Sequence, residues 1–263
     1  VKLEVLAIPG FPLVEAGMDL AKTIEEAMRR AGMALADGDI VVVAQKVVSK
    51  AEGRLVDLAA AKPGPQAEAL AAATGKDPRM VQVILDESRE VLRAEGGHLI
   101  TRHRVGYISA NACVDRSNVS PAGEWACLLP EDPLASAERL MGRLREAFGA
   151  RVGVIISDSF GRPFRLGAVG VSLAAAGFKP VRDYRGQQDL FGYTLRTSVQ
   201  AVADELASAA SLLMGQGDEG RPVVVIRGVD VELVDERPED ATLVRPPEED
   251  LFLRPAEPVT KAV

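Results

Sequence analysis

Apolar residues recur along this chain with two spacings, one that marks strands and one that marks amphipathic helices. Lys2–Ile8 alternates loosely and stops at Pro9-Gly10-Phe11-Pro12, which predicts a strand followed by a rigid loop. After Asp19, an N-cap residue, Leu20, Ile24, Ala27, Met28 and Ala31 fall at helical spacing until Gly32. Ile40–Ala44, Val152–Ile156 and Val223–Ile226 are short continuous apolar runs, as expected of strands buried on both faces. The polar segment Gln45-Lys46 and Ser49-Lys50 follows the first of these runs directly.

Two short helices are predicted next, Gln66–Thr74 with Gly75 as its stop, and a second from Asp77-Pro78 to about Arg93. Leu99–Arg102 and Val105–Ala110 read as paired strands, with Asn111–Asn118 a polar loop beyond them. Asp132-Pro133 opens a helix with Leu134, Ala137, Leu140, Met141 and Leu144 inward, and Val199–Met214 is another. Ser157–Arg165 is read as a loop rich in turn formers and guanidinium groups, leading into an Ala/Gly-rich stretch up to Gly177. A final segment rich in proline and acids is expected to wrap the surface. There is no internal repeat and no low-complexity linker, and the βαβ rhythm is broken. The class is α+β (mixed α/β) with large sheets.

Charge and rare residues narrow the chemistry. A net charge of −7 disfavours nonspecific binding to nucleic acid or anionic membranes. Apolar runs such as Ile40–Ala44 are far shorter than the ~20 residues of a membrane helix. The N-terminus resembles no signal peptide, so a soluble, cytoplasmic protein is expected. Two cysteines and two histidines exclude a disulfide framework, a zinc knuckle and a histidine-rich metal site. An anionic ligand would then need clustered bases or bound cations to invert the local field.

Asp158-Ser159 leaves the end of a buried strand, where α/β sheets place ligand groups, and Asp115 lies in a similar place. A carboxylate beside a hydroxyl suits Mg²⁺ or Mn²⁺, although a simple turn accounts for the same residues. Of Lys46 and Lys50, one can reach a phosphate, and Lys46 is read as part of a solvated loop near Glu52. Arg162, Arg165, Lys179, Arg182 and Arg185 form a basic concentration in an acidic chain. Cys113 and Cys127 read as inert thiols, and His98 and His103 as exposed positions.

Gly215–Gly220 matches G-x-G-x-x-G, but it follows a helix and opens onto a strand, the reverse of a dinucleotide fingerprint. What survives is either a phosphate-cradling loop or a helix C-cap plus a turn. In the first case Gly217 is a position where a side chain would keep phosphate from the backbone. A nicotinamide- or flavin-dependent oxidoreductase and a non-catalytic nucleotide- or deazaflavin-binding protein are the competing readings.

Val41–Arg54, Asn111–Asn118, Ser157–Arg165 and Leu212–Gly217 together resemble the coenzyme F420-0:L-glutamate ligases, in their stand-alone form. The likeness extends to about Gly228. It implies an intertwined homodimer of two-subdomain protomers, with residues 1–254 as the ligase unit and 255–263 as a tail. It also implies GTP-dependent addition of L-glutamate to the terminal carboxylate of coenzyme F420-0 through an acyl phosphate, with successive gamma-linked additions and release of GDP and phosphate. The implied metal ligands for Mn²⁺ or Mg²⁺ are Asp115, Asp158, Ser159 and Gln216, with K⁺ as a further cation. The implied nucleotide contacts are Phe11, Pro12, Leu13, Val14, Gln45, Lys50, Asn118, Met214, Gly215, Gln216, Gly217, Asp218, Glu219, Gly220 and Arg221. Lys50 and Asp158 carry the implied catalysis. Gln45 stands where a small hydroxyl residue is expected, and Gln216 where some members have Glu, which makes one ligand a neutral amide oxygen.

Overall fold

Three runs of continuous burial, in the central strands, organise the chain into layers. In the computed structural model, which describes residues 2–120 and 124–253, Glu4–Ala7 forms β1, Leu20–Arg30 α1, Ile40–Ala44 β2 and Gln45–Ala51 α2. Leu55–Asp57 (β3), Pro65–Thr74 (α3), Pro78–Asp86 (α4), Ser88–Glu95 (β4), His98–His103 (β5), Ile108–Ala110 (β6) and Trp125–Cys127 (β7) follow. Next come Pro133–Phe148 (α5), Gly153–Gly161 (β8) and Ala168–Ala176 (β9). Arg182–Asp183 (β10), Val199–Gln200 (β11), Val202–Met214 (α6) and Val223–Arg227 (β12) complete the order.

The principal sheet has the order β1-β12-β2-β8-β9. Only the β2–β8 pair is parallel, and its neighbours are antiparallel. Strand alternation sends Val41, Val43, Val154 and Ile156 to one face, where α1 and α5 supply Ile24, Met28, Leu140 and Leu144. Ile40, Val42 and Ile155 face the other way, onto Val202, Leu206 and Ala210 of α6. Asp19 caps α1 by accepting from Lys22 N–H at 3.1 Å, and Gly149, at φ 64°, closes α5. A third apolar cluster gathers Leu58, Ala71, Val81, Ile84, Leu99 and Leu128 around α3, α4 and the smaller sheets. The mixed α/β class with several sheets agrees with the pattern of apolar positions.

Five local readings differ. The helix predicted to Arg93 stops at Asp86, and residues 88–95 join β5 as an antiparallel strand. Ser157–Gly161 continues β8 because β9 pairs with it throughout, and the Ala/Gly-rich stretch is that partner. Gln45–Ala51, read as a polar segment, is a helix. The strand read over Val105–Ala110 begins only at Ile108, and the helix read from Val199 begins at Val202.

His103 is fully buried rather than exposed, for a definite reason. Its Nδ1 accepts from Val105 N–H at 3.1 Å, so Nε2 faces the Glu87 carboxylate at 3.3 Å. Arg54 and Arg104 reach the same Glu87 oxygen at 2.9 and 3.1 Å. Burial pushes the Glu87 carboxyl up, but His103, Arg54 and Arg104 outweigh it and hold it at about 2. A carboxylate depressed by folding stabilises the fold above its unfolded pKa and loses that contribution as pH falls through the folded value. Glu87→Gln is expected to lower stability at neutral pH by about 3 kcal/mol. It should also flatten the loss of stability between about pH 4.5 and pH 2, measured by urea unfolding. An unchanged acid limb would assign that loss to other groups.

Candidate functional site

Strand register gathers the candidate residues at one end of the principal sheet. Ala44 of β2 stands opposite Ser157 of β8 in the parallel pair, so Gln45, Lys46 and Asp158 emerge side by side. The amide of Ala44 donates to the Pro222 carbonyl at 2.9 Å, which brings the residues just before β12 to the same end. That segment is the glycine loop. Asp115 arrives through an antiparallel bridge to Cys127, the last residue of β7.

The approach to Asp115 is strained. Asn111, Ala112 and Cys113 have φ of 56°, 50° and 56°, three successive non-glycine residues in the left-handed region. Such residues cost roughly 1–2 kcal/mol each, and the burial of Ala112 and Cys113 with the Val114 N–H to Asn111 carbonyl bond of 2.9 Å holds the turn. The turn packs Cys113 inward, where its thiol is within 3.0 Å of the Ser109 hydroxyl. Burial pushes both cysteine thiols up, Cys127 to about 11, so each stays protonated and inert, as the sequence suggests.

Lys46 is the residue that sequence reasoning placed wrongly. Its ammonium donates to Asp115 Oδ2 at 2.7 Å and to the Ser117 carbonyl and hydroxyl at 2.8 and 3.0 Å. The signal was weak, because a lysine four residues before another after a strand fits any exposed loop. Helix α2 instead turns Lys46 toward the Asn111–Asn118 loop. Burial pushes the Asp115 carboxyl up, but Lys46 and the bonds from Ser117 hold it below the ordinary carboxylate range. Asp158 behaves oppositely. Burial, reinforced by the Asp115 charge, outweighs the Ser159 N–H and Lys46 and lifts it to about 6.

Ser159 and Gln216 meet, with the Gln216 amide donating to the Ser159 hydroxyl at 2.8 Å. Lys50 donates to the Asn118 carbonyl at 2.6 Å, and the Asn118 amide donates to the Gly217 carbonyl at 2.8 Å. Asn118 therefore ties α2 to the glycine loop. The loop's own concave side is filled by Glu219, whose carboxylate accepts from Gly217 N–H at 2.9 Å. A Cβ on Gly215, at φ 73°, would stand 2.0 Å from that carboxyl group. Gly215 and Gly220 are the positive-φ glycines here and Gly217 is not, so the demand for glycine falls first on Gly215.

Other predicted residues stand outside this bonded cluster. In the Phe11–Val14 loop, Phe11 and Val14 pack into the core and Leu13 projects into solvent. Gln45 is buried and its side-chain amide oxygen accepts from the Ser49 hydroxyl at 2.9 Å. Met214 lies near Ser157, Asp218 is exposed, and the buried Arg221 Nε has no partner among the described residues. The basic concentration is largely spent on local acids: Lys179 pairs with Glu232, Arg182 with Asp230 and Arg185 with Asp183.

The glycine loop follows α6 and precedes β12, which gives no support to a dinucleotide fold. Residues 10–228 match the family model described as F420-0:Gamma-glutamyl ligase. The chain belongs to this family. It is 49% identical over 226 residues to the coenzyme F420:L-glutamate ligase of Methanothermobacter thermautotrophicus, covering 86% of this chain and 89% of that one. It is 46% identical over 255 residues to the protein of that name from Methanopyrus kandleri, covering 95% and 98%. The Methanocaldococcus jannaschii protein of the same name is 46% identical over 216 residues, covering 82% and 85%. As a member of the F420-0:gamma-glutamyl ligase family, the chain is a ligase. Among the described residues, no helix is long and apolar enough to cross a membrane.

Proposed function

We propose that this ligase joins L-glutamate to the terminal carboxylate of coenzyme F420-0, using GTP and forming an acyl phosphate that the glutamate amine opens. GDP and phosphate leave, and repeated cycles add gamma-linked glutamates. The observation that carries the reading is the meeting of Asp115, Asp158, Ser159 and Gln216 beside a glycine loop, at the end of a sheet in a member of this family. Phosphoryl transfer needs positioning and charge neutralisation more than covalent catalysis.

The donor set fits a divalent cation. No group of three or more His, Cys, Asp or Glu comes together among the described residues. Two carboxylates, a hydroxyl and an amide oxygen are nonetheless hard donors of the number Mg²⁺ or Mn²⁺ accepts alongside phosphate and water. Asp115, Asp158, Ser159 and Gln216 would hold it, and when bound it supplies neutralisation of phosphate charge; K⁺ is a further candidate. The protein's own groups do the rest. Lys46 fixes Asp115, while Lys50, on the other side of Asn118, brings a point charge toward the transferring phosphoryl group. The backbone of residues 214–221 receives the phosphates, with Glu219 marking where an anion is held. Phe11, Pro12, Leu13, Val14 and Gln45 complete the proposed nucleotide contacts.

A homodimer is part of the same proposal. The hairpin closed by β10 and β11 exposes Leu190, Phe191 and Tyr193 at 98%, 95% and 60%, which supports burial against a second copy. The unit is taken as residues 1–254 in two subdomains; the tail at 255–263 lies outside the described residues. Incubation with F420-0, L-glutamate, GTP and Mn²⁺ is expected to give products heavier by whole glutamyl residues, read by mass spectrometry. GTP binding with neither product nor phosphate release would make the chain a binding protein.

A further inference from the structure

Strand β9 is an edge strand of the principal sheet, covered in part where Ala175 N–H donates to the Ala241 carbonyl at 2.8 Å, and a 450 Å³ cavity opens along it between Tyr107, the β8–β9 pair, α6 and the segment Thr242–Leu253. Its size is within the ~300–1,000 Å³ of small-ligand sites. Asp204 of α6 lines it, accepting from Ser172 N–H at 2.8 Å and forming no ion pair among the described residues. Ser172 lines it too, is 5% exposed, and its hydroxyl oxygen is buried without a partner among the described residues. A half-buried carboxylate with one hydrogen bond, beside a buried hydroxyl left unsatisfied, is an arrangement that a cationic donor group would relieve.

Guanidinium groups supply the opposite charge. Arg89 and Arg245 line the same cavity, and neither forms an ion pair among the described residues. Of the other charged residues on its lining, Arg102 pairs with Glu90 at 2.7 Å and Asp250 accepts from Phe252 N–H at 2.8 Å within its own turn, which leaves the Asp204 carboxylate and the Arg89 and Arg245 guanidiniums for a ligand. L-Glutamate carries the complement, one ammonium and two carboxylates, and forked guanidiniums suit carboxylates.

Position agrees with charge. Val171 lines the cavity and is the register partner of Asp158, and Phe160, also lining it, lies two residues further along β8. We propose that this cavity seats the incoming L-glutamate, with Asp204 and Ser172 on its ammonium and Arg89 and Arg245 on its carboxylates. The proposal rests on the ligase reading and adds to it the place from which the amine approaches.

Asp204→Asn in the full chain tests it. The amide keeps an oxygen for Ser172 N–H but loses the charge, so KM for L-glutamate should rise about 10- to 100-fold. KM for GTP and for F420-0 should stay within about twofold, as charge-assisted contacts to those substrates are untouched. Arg245→Gln, at an exposed position, should raise KM for glutamate in the same selective way. Direct titration should show the unaltered protein preferring L-glutamate to glutarate, which lacks the ammonium, and Asp204→Asn losing that preference. Unchanged KM for glutamate in both folded variants, or a rise confined to F420-0 or GTP, would overturn the site. A chain that makes no product yet binds L-glutamate through Asp204 would uphold the cavity and overturn the reaction. A chain that neither makes product nor binds glutamate would overturn both.

Discussion

Asp158→Asn is expected to abolish glutamate addition, by ~10²-fold or more in turnover, in a protein that folds as well as the parent. The side chain is isosteric and still accepts from Ser159 N–H, a bond of 2.8 Å in the parent. The change also removes a charge that burial and Asp115 both disfavour, so the fold has no reason to weaken. What disappears is one of two carboxylates available to a cation and its phosphates. Thermal unfolding and turnover measured over a range of Mn²⁺ concentrations separate the effects. Near-normal turnover at limiting metal would reduce Asp158 to a strand residue.

The glycine loop gives the second large effect. Gly215→Ala should raise KM for GTP by roughly tenfold or more, because its Cβ would stand 2.0 Å from the Glu219 carboxyl and its φ is 73°. The Glu219 carboxylate can swing aside and give up its bond from Gly217 N–H, but the backbone at φ 73° is strained for any residue with a Cβ. Gly217→Ala is the control: its φ is not positive, and its Cβ would meet only a Glu219 oxygen at an ordinary 3.6 Å. It should cost about threefold at most. Equal effects at the two positions would mean that the loop is not shaped around an anion.

Much of this site could be read from residue order because its anchors are strands with strong apolar signatures. Ile40–Ala44 and Val223–Ile226 announce two central strands, so Gln45, Lys46 and the glycine loop could be placed at strand ends. Asp158 was found for the same reason. Tertiary pairing hid the rest. Ser157-Asp158-Ser159 has the composition of a turn, and only the neighbouring β9 makes it a strand. Residues 88–95 lost their helical reading to β5 in the same way. The left-handed turn at Asn111–Cys113 carries no glycine to announce it, and it is what delivers Asp115 to Lys46. Asp204 carries no signal in the sequence, since its partner Ser172 is 32 residues away.

The central claim is that the carboxylate of F420-0 is activated by phosphoryl transfer at this site, and its oxygen atoms carry the test. F420-0 labelled with ¹⁸O in its terminal carboxylate is incubated with L-glutamate, GTP and Mn²⁺, and the released phosphate and nucleotides are weighed by mass spectrometry. The attacking carboxylate oxygen bonds to phosphorus, and the C–O bond breaks when the amine adds. One ¹⁸O is therefore expected in inorganic phosphate for the first amide formed on each F420-0, later additions activating unlabelled glutamyl carboxylates, with unlabelled GDP throughout. Label in GMP together with pyrophosphate would contradict the account.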